Sequence, residues 1–245
     1  MSEEIIVFKI MGDWAHFKRP YTTTSPLTFD LPSPPSVLGY IGAFLGYDRK
    51  DYLRKLNDIC QLSVALLAKP QKLTLGMKFL HTKYSFRGYH KTPHALIEAE
   101  FISEPAFLVY CRLREASVFQ EFSTRLQQRT PFYIPSLGLA WCLSDFEWIG
   151  SFPAERVTPD GEIEVLGWLP QSRIKSPKLE LGKRYHMMTL PVKMAPDRSI
   201  QQFEDMVYEF SGQTIRCVLK DDSALWRIQH NGKLSFGETN YVYLV

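Results

Sequence analysis

Over residues 14–24 the chain gathers groups suited to a polyanion that also carries flat rings. Trp14, Phe17 and Tyr21 offer stacking faces, His16, Lys18 and Arg19 offer donors and positive charge, and Thr22, Thr23 and Thr24 add hydroxyls. Aromatic faces stack on nucleobases whatever their sequence, while lysine and arginine follow phosphates. Downstream, Pro26, Pro32, Pro34 and Pro35 punctuate the approach to the apolar run VLGYIGAFLG. Two adjacent prolines cannot continue a preceding helix. Ser36 is a suitable N-cap for a new one, and Gly46 suits its C-terminal cap. The free N–H groups and positive dipole end of such a helix suit a phosphate, so Ser36, Gly39 and Tyr40 join the candidate binding residues.

Gly39 and Gly42 fall inside that helix, each costing roughly 1 kcal/mol against alanine. Close packing on a sheet, or close approach of a ligand backbone, offsets the cost; both stay open. Taken singly, each loop residue fits an ordered loop that buries its aromatics and leaves its charges in water. The combination argues for a ligand.

A second set lies further along. Lys83, Tyr84, Arg87, Tyr89, His90 and Lys91 alternate rings and charges within an excursion over residues 72–100. That excursion is too long for a simple hairpin turn and reads as an extended β-arm leaving the sheet. Residues 59–97 contain no acid, and residues 14–94 carry twelve Lys/Arg against four Asp/Glu in a chain whose net charge is +3. Local basic asymmetry of this kind is the footprint of a polyanionic partner, although lysines also protect edge strands from aggregation.

The same residues raise one catalytic possibility. Tyr40, His90 and Lys91, with His81 and His94 nearby, are the group types of metal-independent RNA cleavage. There a base activates a 2′-hydroxyl and a donor stabilises the pentacoordinate phosphate. Adjacent His-Lys is a weak signal, because geometry makes a catalytic site. The glycines of LGYIGAFLG do not form G-x-G-x-x-G, and the chain has no P-loop lysine motif, G-x-S-x-G elbow or H-E-x-x-H helix.

The elements that must position these groups read as an α+β domain. Strands are expected over residues 5–11, 61–68, 108–113 and 146–149, with helices over 36–46 and 116–126 and a short helical turn within 48–58. In the second helix Phe119, Phe122 and Leu126 share a face. The order β-α-β-β-α-β is ferredoxin-like, the topology of RNA-recognition modules that present a sheet face to nucleic acid. Residues 1–150 are expected to form this domain, with the arm at about 72–100. Residues 151–245 read as a small β-rich C-terminal region packed on it. Its strands fall over 162–169, 184–192, 214–219, 225–229 and 241–245, and Asn231-Gly232 forms a hairpin turn.

With 45% hydrophobic and 13% aromatic residues among 245, the chain has material for a substantial core. It contains no apolar run of the ~18 residues a membrane span needs. Its polar, acidic start is unlike a secretory signal. Cys60, Cys111, Cys142 and Cys217 are scattered without a C-x-x-C pair. No zinc, disulfide framework or cofactor is expected, and a reducing cytoplasm fits.

The segments GDWAHFKRP (residues 12–20), TTTSPLTF (22–29), PSPPSVLG (32–39) and IGAFLG (41–46) together resemble the N-terminal signature of the fifth CRISPR-associated (Cas) protein family, within the RAMP superfamily. TPFYIPSLG (130–138) is similar to a later segment of that family. The likeness is dense over residues 5–46, looser to 138, and fades beyond about 150. It implies a ferredoxin-like (RRM-like, RAMP) core whose arm is a thumb. The implied role is a non-catalytic subunit of a type I Cascade complex, binding the 5′ handle of the guide RNA (crRNA). The large subunit and the first backbone subunit are its implied partners, with target DNA near the protospacer-adjacent motif as a further one. The wording looks closest to type I-B members, in which a separate endonuclease cuts the RNA. The alternative is a metal-independent endoribonuclease that processes the repeat RNA itself, as some relatives do.

Overall fold

A computed structural model describes residues 3–80, 94–220, 225–229 and 241–245. The first strand, β1 (Glu3–Met11), buries Ile5, Ile6, Val7 and Phe8 alike. Successive strand residues point to opposite faces, so this strand is covered on both sides. After it come β2 (Trp14–Ala15), α1 (Pro34–Leu45), α2 (Tyr52–Leu56) and β3 (Cys60–Leu66). Next are β4 (Gln71–Leu80), β5 (His94–Ser103), β6 (Ala106–Leu113), α3 (Ala116–Gln128) and β7 (Asp145–Arg156). β1 lies between β6 and β7, and β3 pairs with β6, all antiparallel, giving the order β7-β1-β6-β3.

The C-terminal half supplies β8 (Ile163–Leu166), β9 (Leu169–Pro170), β10 (Ile174–Lys178), β11 (Tyr185–Met194), β12 (Ile200–Glu209), β13 (Ile215–Leu219), β14 (Leu225–Ile228) and β15 (Tyr241–Tyr243). β14 adds to β7, so the sheet runs through nine strands as β10-β13-β8-β15-β14-β7-β1-β6-β3. It curls until its far part meets β3. Val245 and Leu62 exchange backbone hydrogen bonds of 2.9 and 3.0 Å, and the Trp168 N–H donates to the Val64 carbonyl at 3.1 Å. Gly167, at φ +90°, permits that approach, because a Cβ there would lie 2.8 Å from the Val64 oxygen.

Curling produces two apolar layers. Ile6, Phe8, Val64 and Val109 pack beneath Ile41, Phe44 and Phe122 of the helices. Ile5, Val7, Leu108, Tyr110 and Phe152 pack inside the curl against Trp226, Val242 and Leu244. The expected open sheet face for nucleic acid is therefore closed by the chain's own C-terminal strands.

Other expectations shift locally. α1 begins at Pro34 rather than Ser36, since proline needs no N–H partner in a first helical turn. In α3, Phe122 and Leu126 are buried while Phe119 is only partly so. β10 and β12 were not foreseen. β10 carries Pro177, which an edge strand tolerates, and the first six positions of β12 are exposed or half-exposed, so neither shows a clean apolar alternation. β4 and β5 pair from Gln71↔Ser103 to Leu80↔His94 and, with β2, form a separate three-stranded sheet. His81, Lys83, Tyr84, Arg87, Tyr89, His90, Lys91 and the Asn231-Gly232 turn lie outside the described residues. Among the described residues no helix is long and apolar enough to cross a membrane. All four cysteines are free thiols.

The inner layer has a direct test. Trp226→Ala empties a buried indole position on which the Arg112 guanidinium stacks at 4.7 Å. Unfolding stability should fall by about 3–5 kcal/mol in urea titration.

Candidate functional site

The loop between β2 and α1 is held by its own polar groups. Lys18 and Thr28 form an antiparallel bridge. The Arg19 N–H donates to Leu27 O at 2.9 Å and the Phe29 N–H to Phe17 O at 2.8 Å. The Thr22 hydroxyl donates to Arg19 O at 2.8 Å, and the Thr28 hydroxyl accepts the Phe17 N–H at 2.9 Å. The Thr28 N–H reaches Glu100 at 3.0 Å, and the Thr28 carbonyl accepts from Arg19 Nε at 3.0 Å and Lys72 Nζ at 3.1 Å. Lys72 pairs with buried Asp30 at 2.6 Å and with Glu100 at 3.4 Å, while the Tyr208 hydroxyl donates to Asp30. Burial, reinforced by the Asp30 carboxylate, holds the Tyr208 phenol protonated well above its usual range. The loop is thereby fastened to the β4–β5 hairpin and to β12.

This fastening decides which loop residues are available. His16 and Phe17 are buried, Phe17 against Phe107 at 5.8 Å between ring centres. The His16 Nδ1–H donates to Glu100 O at 2.7 Å. Trp14 packs edge-on against Phe101 at 6.4 Å. These three rings are packing groups, not free stacking faces, because β2 pairs with β5 and turns them onto Phe101 and Phe107. Thr22 is occupied within its turn, and Arg19 is half-buried beside Phe29. Lys18, Tyr21, Thr23 and Thr24 remain exposed.

The start of α1 also differs from expectation. Pro34 and Pro35 have no N–H, and those of Ser36 and Val37 both bond the Ser33 carbonyl, at 2.9 and 3.1 Å. The first turn thus offers a ligand no free amide. What it presents instead is the dipole and the Ser33 and Ser36 hydroxyls, 3.0 Å apart. The helix glycines receive neither sheet nor vacancy but α2. A Cβ at Gly42 would stand 2.8 Å from Tyr52 Cβ, and one at Gly39 would touch the Tyr52 ring at 3.6 Å.

Residues 130–138 close the arrangement. The Phe132 N–H donates to Phe44 O at 3.2 Å and the Tyr133 N–H to Ala43 O at 2.9 Å, satisfying carbonyls at the end of α1. The His16 N–H donates to Leu137 O at 3.0 Å. Gly138, at φ +99°, lies so close that a Cβ would collide with the His16 carbonyl. Tyr40 is buried, with its hydroxyl 3.0 Å from Ser144 Oγ. Burial raises its pKa well above the usual phenol range, so Tyr40 cannot serve as a base near neutrality.

Between these pieces opens a cleft of about 840 Å³. It is lined by Lys18 and Pro20 of the loop, by Ser33, Ser36, Gly39, Tyr40 and Ala43 of α1 and its cap, by Tyr52, and by Tyr47, Asp48 and Arg49 of the turn after α1. Tyr133, Ile134 and Ser136, with Met194, Arg198 and Ile200 of the β11–β12 hairpin, complete the lining. Lys18, Arg49 and Arg198 face a single carboxylate, Asp48, and none of the three makes an ion pair among the described residues. Tyr133 and Ile134 expose 48% and 77% of their surface, leaving an apolar rim beside the charges. Volume and lining suit part of a single-stranded polyanion with flat bases.

Sequence reading missed Arg49, Tyr47, Tyr52 and Arg198. Arg49 and Tyr52 sit in a segment that reads as a solvated helical turn. Arg198 stands far along the chain, and no spacing rule links it to α1. Its φ of +71° is the one local signal, and it is visible only in the folded backbone.

Burial lowers the His16 pKa below its ordinary 6.5, outweighing the bond to Glu100. The unfolded chain therefore takes up this proton first, and stability supplied by neutral His16 is present above pH 6.5 and lost as pH falls below it. Denaturant titrations from about pH 7.5 down to about pH 5.5, roughly one unit either side of the ordinary His value, should show this slope, and His16→Asn should flatten it. Gly138→Ala should destabilise the fold by about 2 kcal/mol or more through collision and a positive φ, lowering Tm.

Comparison with known proteins follows the same outline. A sequence model for a family described as CRISPR-associated protein (Cas_Cas5) matches residues 5–213. A chain of a CRISPR RNA-guided surveillance complex superposes with a TM-score of 0.53 at 14% identity, over 86% of this chain and 91% of that one. A CRISPR protein from Archaeoglobus fulgidus superposes with a TM-score of 0.51 at 11% identity, over 94% and 96%. At such identities the likeness is one of fold. No curated protein matches the chain.

Proposed function

The chain belongs to the CRISPR-associated Cas5 family, and from that membership we propose that it is the subunit of a type I, Cascade-like effector complex that holds the 5′ handle of the guide RNA. The observation that carries this reading is the cleft, in which residues 14–46 and 130–138, the stretches of family-like wording, meet around Lys18 and the start of α1. Lys18 and the Ser33 and Ser36 hydroxyls take phosphates and Tyr133 offers a ring to a base, while the exposed Tyr21, Thr23 and Thr24 add contacts from the same loop as Lys18. In this reading β7-β1-β6-β3 with α1 and α3 is a ferredoxin-like core. Its inner face is filled, so RNA follows the helix margin rather than the sheet.

The β4–β5 hairpin acts as the thumb, lying over the first guide nucleotides toward the first backbone subunit. The apolar rim of Phe132, Ile134, Trp141 and Leu143, 49–77% exposed, meets the large subunit. Target DNA near the protospacer-adjacent motif passes that junction. The type I-B assignment rests on the wording of the N-terminal segment alone.

Binding of labelled handle RNA, followed by fluorescence anisotropy across salt concentrations, tests the reading. Lys18→Ala should weaken binding several-fold and reduce the log–log salt slope by about 0.7, the value for one lost contact to a single strand. Unchanged affinity and slope would remove Lys18 from the site. Clean cutting of repeat RNA in the presence of a chelator would replace the binder with the endoribonuclease.

A further inference from the structure

The tip of the β11–β12 hairpin carries an arginine where glycine is the comfortable residue. Arg198 has φ +71°, and the turn around it is closed by Arg198 N–H to Ala195 O at 2.8 Å and Ala195 N–H to Ser199 O at 2.9 Å. Its neighbour Asp197 does not pair with it, because that carboxylate accepts the Ser199 N–H and hydroxyl at 2.9 and 2.6 Å. Arg198, Arg49 and Tyr52 line the same cleft. Burial raises the Tyr52 pKa, and the charges of Arg198 and Arg49 both oppose that rise. Tyr52 is held there by the Gly39 and Gly42 surface of α1.

From this shared lining we infer that Arg198 and Arg49, with Tyr52, form a backbone-phosphate subsite for single-stranded RNA in the cleft that Lys18 also lines. The proposal rests on the reading of the cleft as an RNA groove and adds a contact from the C-terminal half of the chain. Guanidinium groups suit this task, since their fixed fork of donors matches phosphate oxygens. Neither arginine has a carboxylate partner among the described residues, so an arriving phosphate displaces no ion pair. The left-handed backbone at Arg198 is the strain expected where side-chain function outranks local stability.

That strain supplies a readout which a merely structural role would not give. Arg198→Gly relieves the backbone, so its Tm should equal or exceed that of the unaltered chain. Its affinity for a short single-stranded handle RNA should nevertheless fall about tenfold, with the salt slope reduced by about 0.7. Arg49→Ala should lose affinity and slope similarly, and the double variant should lose less than the product of the two, as expected of residues sharing one ligand group. Arg198→Lys, which keeps charge but not the fork, should fall between.

If Lys18→Ala weakens binding while Arg198→Gly and Arg49→Ala leave affinity and slope unchanged, the subsite is wrong and the groove stands. If Arg198→Gly lowers Tm and affinity together, the arginine is structural and the proposal fails. If the unaltered chain binds no handle RNA, the groove and its subsite fall together.

Discussion

A strand with apolar side chains on both faces cannot rest at the surface of a two-layer fold. β1 is such a strand, and its burial on both sides governs the rest of the molecule. Helices cover one face, and the second is covered only because the sheet curls until the chain after β15 bonds to β3. The cost is a recognition surface, since the face that an open four-stranded sheet would offer a ligand is filled by Tyr110, Phe152 and Trp226. The open cleft lies instead at the margin, where loops, helix ends and hairpin tips converge.

At that margin, close backbone approach does what large apolar contacts do in the core. Gly42 lets Tyr52 lie against α1, Gly138 lets residues 136–138 run beside His16, and Gly46 turns the chain under Phe132. The last two contacts join stretches distant in sequence, so the cleft is assembled from several parts of the chain and none builds it alone. The Thr28, Asp30, Lys72 and Glu100 network fixes the loop against the hairpin in the same manner. Such a network of ion pairs and hydrogen bonds sets one geometry for the loop where apolar packing alone would tolerate several.

Electrostatics divides similarly. Counted along the chain, Lys18, Arg19, Lys69 and Lys72 look alike. In the fold Lys72 neutralises Asp30 and Glu100, Lys69 lies over the Phe210 ring at 5.6 Å and Arg19 spends a donor on Thr28. Lys18 reaches the cleft and is joined there by Arg49, which belongs to the same basic stretch, and by Arg198, from a segment that no charge count singles out. Local charge excess thus indicates that an anion partner is favoured, while pairing with the chain's own acids decides which cations meet it.

Much of the fold is legible in the amino-acid sequence. The unbroken IIVF of β1, the glycine at the end of α1, the apolar face of α3 and the alternation of strands and helices through residue 150 follow from local sterics and periodicity, which act over a few residues. The wording of residues 14–46 and 130–138 likewise points to the family whose model matches the chain. Tertiary structure alone decided that Trp14, His16 and Phe17 pack inward, that the first turn of α1 offers no free amide, and that Arg198 lines the same cleft as Lys18. The reason is physical: the direction a side chain takes at a margin depends on which distant backbone lies close enough to bond with, and that pairing is settled only when the curled sheet closes.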